Sequence, residues 1–256
     1  MRQFWSFFTL FEKEVLRFMK VWTQTLMSPL ISSLLYMFVF GVSLTRVVGD
    51  HYFEFLVSGL VAMGVMNGGV NNSASSIMTS KFHNDLQDLR IIPLNIWWRS
   101  LAYILAGTVR GFVSGSMVWL AGALIFYIWK GSLLPIANFP IFILFAFIGA
   151  MLFSCIGIWA GFRSSSFDQL NVVLQFVLMP LMYLGGVFFS IQDLPASWQF
   201  VSHLNPVFYL INGMRWGLLN HADVAILPCL LASFAAMTAG VLMAAHGVSK
   251  GNYSRF

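Results

Sequence analysis

The chain has 256 residues, of which 59% are hydrophobic and only 9% are Asp, Glu, Lys or Arg. Soluble domains carry about 25% charged residues, so this chain could not clothe a globular surface, and its mean hydropathy of +0.80 agrees. That excludes a soluble enzyme, a nucleic-acid-binding domain and a disordered tail, because the net charge of +5 is spread between apolar runs and forms no basic patch.

A spanning helix takes roughly 20 residues, so six spans with short connections use nearly all of the chain. No extramembrane catalytic domain fits. Residues 4–20 are amphipathic: Phe4, Phe8, Phe11, Val15 and Phe18 recur at helical spacing, and Arg2, Ser6, Thr9, Lys13, Arg17 and Lys20 form another stripe. Such a helix lies along a membrane surface with its basic side toward anionic headgroups. Glu12, Lys13 and Glu14 interrupt the early apolar run, which speaks against a cleaved signal peptide.

Hydropathy places the spans at about 25–45, 53–77, 100–129, 136–162, 170–190 and 224–246. With the N-terminus inside, ten Lys and Arg residues fall on the inner side and Arg46, Lys130 and Arg215 on the other. The positive-inside rule therefore predicts two cytoplasmic termini.

Two connections are longer than a turn. Residues 78–99 are cytosolic and carry Met78, Phe82, Leu86 and Leu89 at helical spacing, with Lys81, Asp85, Asp88 and Arg90 on the polar faces. Pro93 stops that helix. Residues 191–223 are external and too apolar for a solvated loop, which predicts two short helices broken at Asn205–Pro206 and folded back into the outer leaflet. Gly64, Gly68 and Gly69 in span two, with Gly185 and Gly186 in span five, suggest a seam between two copies that includes spans two and five.

The chain contains no GxxxxGK[ST], HExxH or GxSxG sequence, so it holds no nucleotide phosphate by itself. Five scattered histidines show no ligand spacing, and Cys155 and Cys229 sit in apolar runs as packed thiols. No metal or cofactor is expected on the chain. Arg110 is the one charge deep in a span, and the amide row Asn67, Asn71 and Asn72 supplies candidate partners. Snorkelling to the inner headgroups and contact with cargo both remain open for it.

Pro180 to Arg215 reads PLMYLGGVFFSIQDLPASWQFVSHLNPVFYLINGMR. A proline and Gly-Gly pair in span five, then Leu-Pro, Asn-Pro, aromatics and a closing arginine resemble the signature of ABC-2-type permeases, the membrane subunits of bacterial ABC exporters. KFHNDLQDLRIIPL, from Lys81, is similar to that family's first intracellular loop. The likeness covers the whole chain and is nearest to the small YadH-like inner-membrane permeases of Gram-negative bacteria. It implies an all-α integral membrane protein of the type V exporter kind, one transmembrane domain over residues 1–256. Its parts are an interface helix (1–24), spans one and two (25–77), a cytosolic coupling helix (78–99), spans three to five (100–190), an outer re-entrant loop (191–223) and span six (224–246).

The resemblance further implies a homodimer in the bacterial inner membrane and two copies of a separate ATPase that holds ATP and Mg2+. It also implies export of an amphipathic or lipid-linked substrate among membrane lipids. The ATPase would dock on Lys81, Phe82, Asp85, Leu86, Asp88, Leu89 and Arg90, with Lys13 and Arg17 as a second contact. Arg110, Asn67, Asn71, Gly185, Gly186, Asn205, Pro206, Tyr209 and Arg215 are pathway or gate candidates. An ATP-independent carrier would need inverted repeats or intramembrane ion ligands, and a lipid-modifying enzyme would need convergent acids, histidines or a serine nucleophile.

Overall fold

The computed structural model describes residues 2–49, 51–83, 85 and 94–250, and every regular element among them is a helix. Helix α1 (Arg2–Lys20) precedes α2 (Trp22–Tyr36), which runs through a π-helical turn at Met37–Gly41 into α3 (Val42–Val48). The long helices α4 (Tyr52–Phe82), α5 (Ile96–Lys130) and α6 (Phe139–Arg163) follow. Next, α7 (Phe167–Val173) passes through a second π-helical turn, Leu174–Leu178, into α8 (Met179–Leu184). The chain ends with α9 (Ala196–His203), α10 (Pro206–Leu219) and α11 (Ile226–Lys250).

Six helical stretches are long and apolar enough to cross a membrane: Met27–Thr45, Tyr52–Phe82, Ile96–Lys130, Phe139–Arg163, Phe167–Leu184 and Ile226–Lys250. They match the six expected spans. Local chemistry fixes their ends. Asn95 caps α5 by accepting from the Trp97 N–H, and Gly131, at φ +70°, ends it. The fifth span stops at Leu184, short of the expected 190, because Gly186 turns the chain at φ +86°.

Helix α4 is the centre of the fold, packed between α5 and α6. A Cβ on Gly68 would lie 2.8 Å from Gly111 Cα, and one on Gly69 would lie 2.6 Å from the Ala150 carbonyl. Only glycine permits these approaches. The glycines expected at a seam between copies are thus used inside the chain, where 83% of the second span's most apolar stretch is buried. The corresponding figures are 18% for the first span and 17% for both the fifth and the sixth, so these three present open faces.

The second span also runs further than expected. Met78 and Lys81 continue α4 and are buried, so they do not start a separate cytosolic helix. Lys81 Nζ donates to the carbonyls of Phe162 at 2.9 Å and Ser164 at 2.8 Å, capping the C-terminus of α6. That corrects its expected place on an exposed docking rim. Phe82 and Asp85 are exposed, whereas Leu86, Asp88, Leu89 and Arg90 lie outside the described residues.

Candidate functional site

A cavity of about 310 Å³ lies between the first, second and fifth spans. Its polar wall comes from three pairs at i, i+4, which share one helix face. They are Ser28 and Ser32 on α2, Asn67 and Asn71 on α4, and Asn171 and Gln175 on the fifth span. All but Asn67 are exposed. Among the described residues, Tyr36 is the only ionisable side chain on the wall. The sequence pointed to Asn67 and Asn71 as partners for Arg110, but the structure turns them into this slot.

Aromatic rings close one end. Tyr36 and Tyr183 bring their hydroxyls to 3.2 Å. Phe188 packs against Tyr36, Phe40 and Tyr183 with ring centroids 5.2 to 5.4 Å apart. These rings follow the polar pairs along both spans, so the slot is amide-rich at the start of spans one and five and aromatic at their ends.

Beyond the rings, residues 191–223 form the two short helices the sequence suggested, with the break at Asn205–Pro206. Asn205 is buried and bridges both sides of the break. Its Oδ1 accepts from the Val207 N–H at 3.0 Å, and its Nδ2 donates to the Leu181 carbonyl at 2.6 Å. The Leu181 oxygen lacks its usual helical partner because the Gly185 N–H bonds to Met182. Pro206 occupies the first turn of α10, where no N–H is needed. The Tyr209 hydroxyl donates to the His203 carbonyl and closes α9. Gly185 packs on Ile211: an added Cβ would sit 2.8 Å from Ile211 Cδ1. Together these contacts join the outer helices to the end of span five.

Arg215 is the hub of that assembly. It is 1% exposed, donates through Nε to Ser58 Oγ at 3.1 Å and through Nη2 to the Gly186 carbonyl at 2.9 Å, and lies 3.6 Å above the Phe55 ring. Burial pushes its guanidinium down to about 10, with Asp223 opposing, so it stays charged at neutral pH. Its role here is to hold α10 against α4, away from the slot.

On the opposite end of the molecule, Arg17 is turned inward from α1. It donates to Glu14, Ser75 and Asn72, which clamps α1 to α4 and corrects its expected place on an outward docking face. Lys13 stays exposed. Phe7 packs on Trp98 with centroids 5.3 Å apart, seating α1 on α5 as well. Among the described residues no three His, Cys, Asp or Glu side chains gather as a metal site.

A family profile described as ABC-2 type transporter matches residues 6–219. The inner membrane transport permease YadH of Escherichia coli K12 is 36% identical over 222 residues, which is 85% of this chain and 84% of that protein. Nodulation protein J of Rhizobium meliloti is 22% identical over 82% of this chain and 80% of its own length. The daunorubicin resistance ABC transporter permease protein DrrB1 of Streptomyces coeruleorubidus is 24% identical over 84% of this chain and 75% of its own.

Proposed function

The chain belongs to the ABC-2 type transporter family, and we propose that it is the membrane subunit of an ATP-driven exporter that works as a homodimer. One observation carries this reading. Ser28, Ser32, Asn71, Asn171 and Gln175 are exposed within apolar spans. Unpartnered amides facing hydrocarbon cost several kcal/mol by order of magnitude. Such groups are stable against water or against a second copy, so the slot is half of a translocation pathway. Of the open spans, one and five carry the slot and form the seam, 18% and 17% buried, with span one in place of the span two that the glycines suggested.

Both termini are cytoplasmic in this reading, and the membrane is a bacterial inner membrane, the one named for the Escherichia coli relative. The amide end of the slot then opens to the cytosol, and the aromatic cluster with α9 and α10 closes the outside as a re-entrant gate. The polar part of an amphipathic or lipid-linked cargo uses the amide wall while its apolar part stays along spans one and five. Two copies of a separate ATPase supply ATP and Mg2+ and dock on the segment that begins at the exposed Phe82 and Asp85, with Lys13 beside it.

Cysteines at Ser32, Asn71 and Gln175 test the pathway in inverted membrane vesicles containing the co-expressed ATPase. They should react with a membrane-impermeant maleimide, and a Leu231→Cys control on the outward face of α11 should not. Labelling of all three at the rate of the Leu231 control would refute the reading.

A further inference from the structure

A cationic corner lies where α1, α4 and α5 meet, and the pathway does not use it. Arg17 commits most of its N–H groups inside the chain. Nε donates to Glu14 Oε2 at 3.1 Å, Nη1 to Ser75 Oγ at 3.3 Å, and Nη2 to the Asn72 carbonyl at 2.8 Å and to Asn72 Oδ1 at 3.2 Å. Of five guanidinium N–H groups, one is left. Glu14, 1% exposed, balances the Arg17 charge.

Arg110 on α5 lies at the α4–α5 contact, its carbonyl 2.9 Å from where a Cβ on Gly68 would stand, one helical turn from the Asn72 that Arg17 holds. It makes no hydrogen bond or ion pair with a described residue, and its Nε is buried without a partner. Helical side chains lean toward their own N-terminus. For α5 that direction leads to the level of Gly107, where an added Cβ would lie 2.8 Å from Ser73 Oγ. The neighbouring Asn72 is fully buried, and its Nδ2 also lacks a partner.

The corner therefore holds two guanidiniums, one carboxylate and a spare amide donor. One positive charge has no counter-ion in the described chain. A lone arginine inside a span costs about 3 kcal/mol or more, so a compensating anion is strongly favoured. A planar guanidinium fork pairs with carboxylate or phosphate oxygens, and phosphate is the one that every phospholipid headgroup supplies. The anion must also reach headgroup depth, which is set here by the amphipathic α1, whose lysines are exposed. Helix α5, at 35 residues, is longer than a bilayer needs, so its first turns extend past the hydrocarbon toward that level.

We propose that this corner binds the phosphodiester of an inner-leaflet phospholipid, with Arg110 as the bidentate fork and Asn72 and Arg17 as supporting donors. The proposal uses side chains of one chain only, so it stands or falls independently of ATP-driven export.

Native mass spectrometry of the purified protein with added phosphatidylglycerol tests it, with a phosphate-free diacyl glycolipid as the comparison. Wild-type protein should retain phosphatidylglycerol and release the glycolipid. Arg110→Gln should weaken retention about tenfold, about 1.4 kcal/mol, while Lys130→Gln in the last turn of α5 should leave it unchanged. Where Arg110→Gln does not insert, Arg110→Lys keeps the charge, loses the fork and should weaken retention several-fold. Excess inorganic phosphate distinguishes the source: it should not displace the lipid, and displacement would assign the site to a soluble phosphate instead. Equal retention of both lipids, or of phosphatidylglycerol by wild type and both Arg110 variants, overturns the proposal.

Discussion

Lys81→Met is the most informative single change, because it separates the observed role of this lysine from an exposed docking role. Methionine keeps most of the stem volume and removes the ammonium that caps α6 through the Phe162 and Ser164 carbonyls. A hydrogen bond to a charged group contributes about 1.5–3 kcal/mol net, so the two together contribute roughly 3–6 kcal/mol. Relief of burying an ammonium head, which is 2% exposed in place, offsets part of this loss. The lower edge, about 3 kcal/mol, is the expected cost, or roughly a 150-fold rise in local opening.

Amide exchange by mass spectrometry over 160–168, with thermal unfolding in detergent, reads that cost directly. Protection at the α6 C-terminus should fall by about two orders of magnitude, and the unfolding midpoint should drop. A surface lysine serving only to bind a partner would give the opposite pattern, with unchanged exchange and stability but less co-purified ATPase. That pattern would show that the cap contributes nothing and that the reasoning from the two carbonyls is wrong.

Phe82→Ala combined with Leu86→Ala should remove ATPase co-purification while leaving the permease in the membrane; an unchanged ATPase ratio refutes docking at this segment. Asn205→Ala loses bonds of 2.6 and 3.0 Å and should cost about 1–3 kcal/mol, read as a lower thermal midpoint, with export altered more than insertion. Pro206→Ala is the milder change at the same break, and normal export by a well-expressed variant would count against a gate there. Disulfide crosslinking between copies should succeed for cysteines on the open faces of spans one and five, such as Phe38 and Phe176, and fail for Val65, which is 1% exposed.

The six spans were legible because hydropathy reads length and composition, and those alone decide what can cross a bilayer. Hydropathy does not distinguish a helix facing lipid from one facing protein. The central place of α4 therefore escaped it, although the density of glycine and serine from Gly64 to Ser76 was a usable signal. Lys81 and Arg17 were misread for a related reason: their partners are largely backbone carbonyls and buried side chains, which a sequence does not display. The slot joins residues as far apart as Ser28 and Gln175, so only folding reveals it. Its trace in the sequence was three polar i, i+4 pairs inside apolar spans. The break at Asn205–Pro206 was readable because an Asn-Pro helix start is a local signal.

Two of the three spans left open by the core also have irregular helices. Spans one and five are among the least buried, and each contains a π-helical turn, at Met37–Gly41 and Leu174–Leu178. Pro180 lies just past the second turn and removes a further backbone donor. Span two and the fourth span are regular and buried, so deformation costs least in one and five. A specific bond holds the outer end of span five, and another lies just before its start. Lys81 ties the end of α4 to Ser164, which lies just before α7, and Asn205 ties the Leu181 carbonyl to the outer helices. On the proposed export reading, a push at Phe82 enters span five through the first bond and leaves through the second. Span five's share of the polar wall and of the aromatic closure lies between those two points.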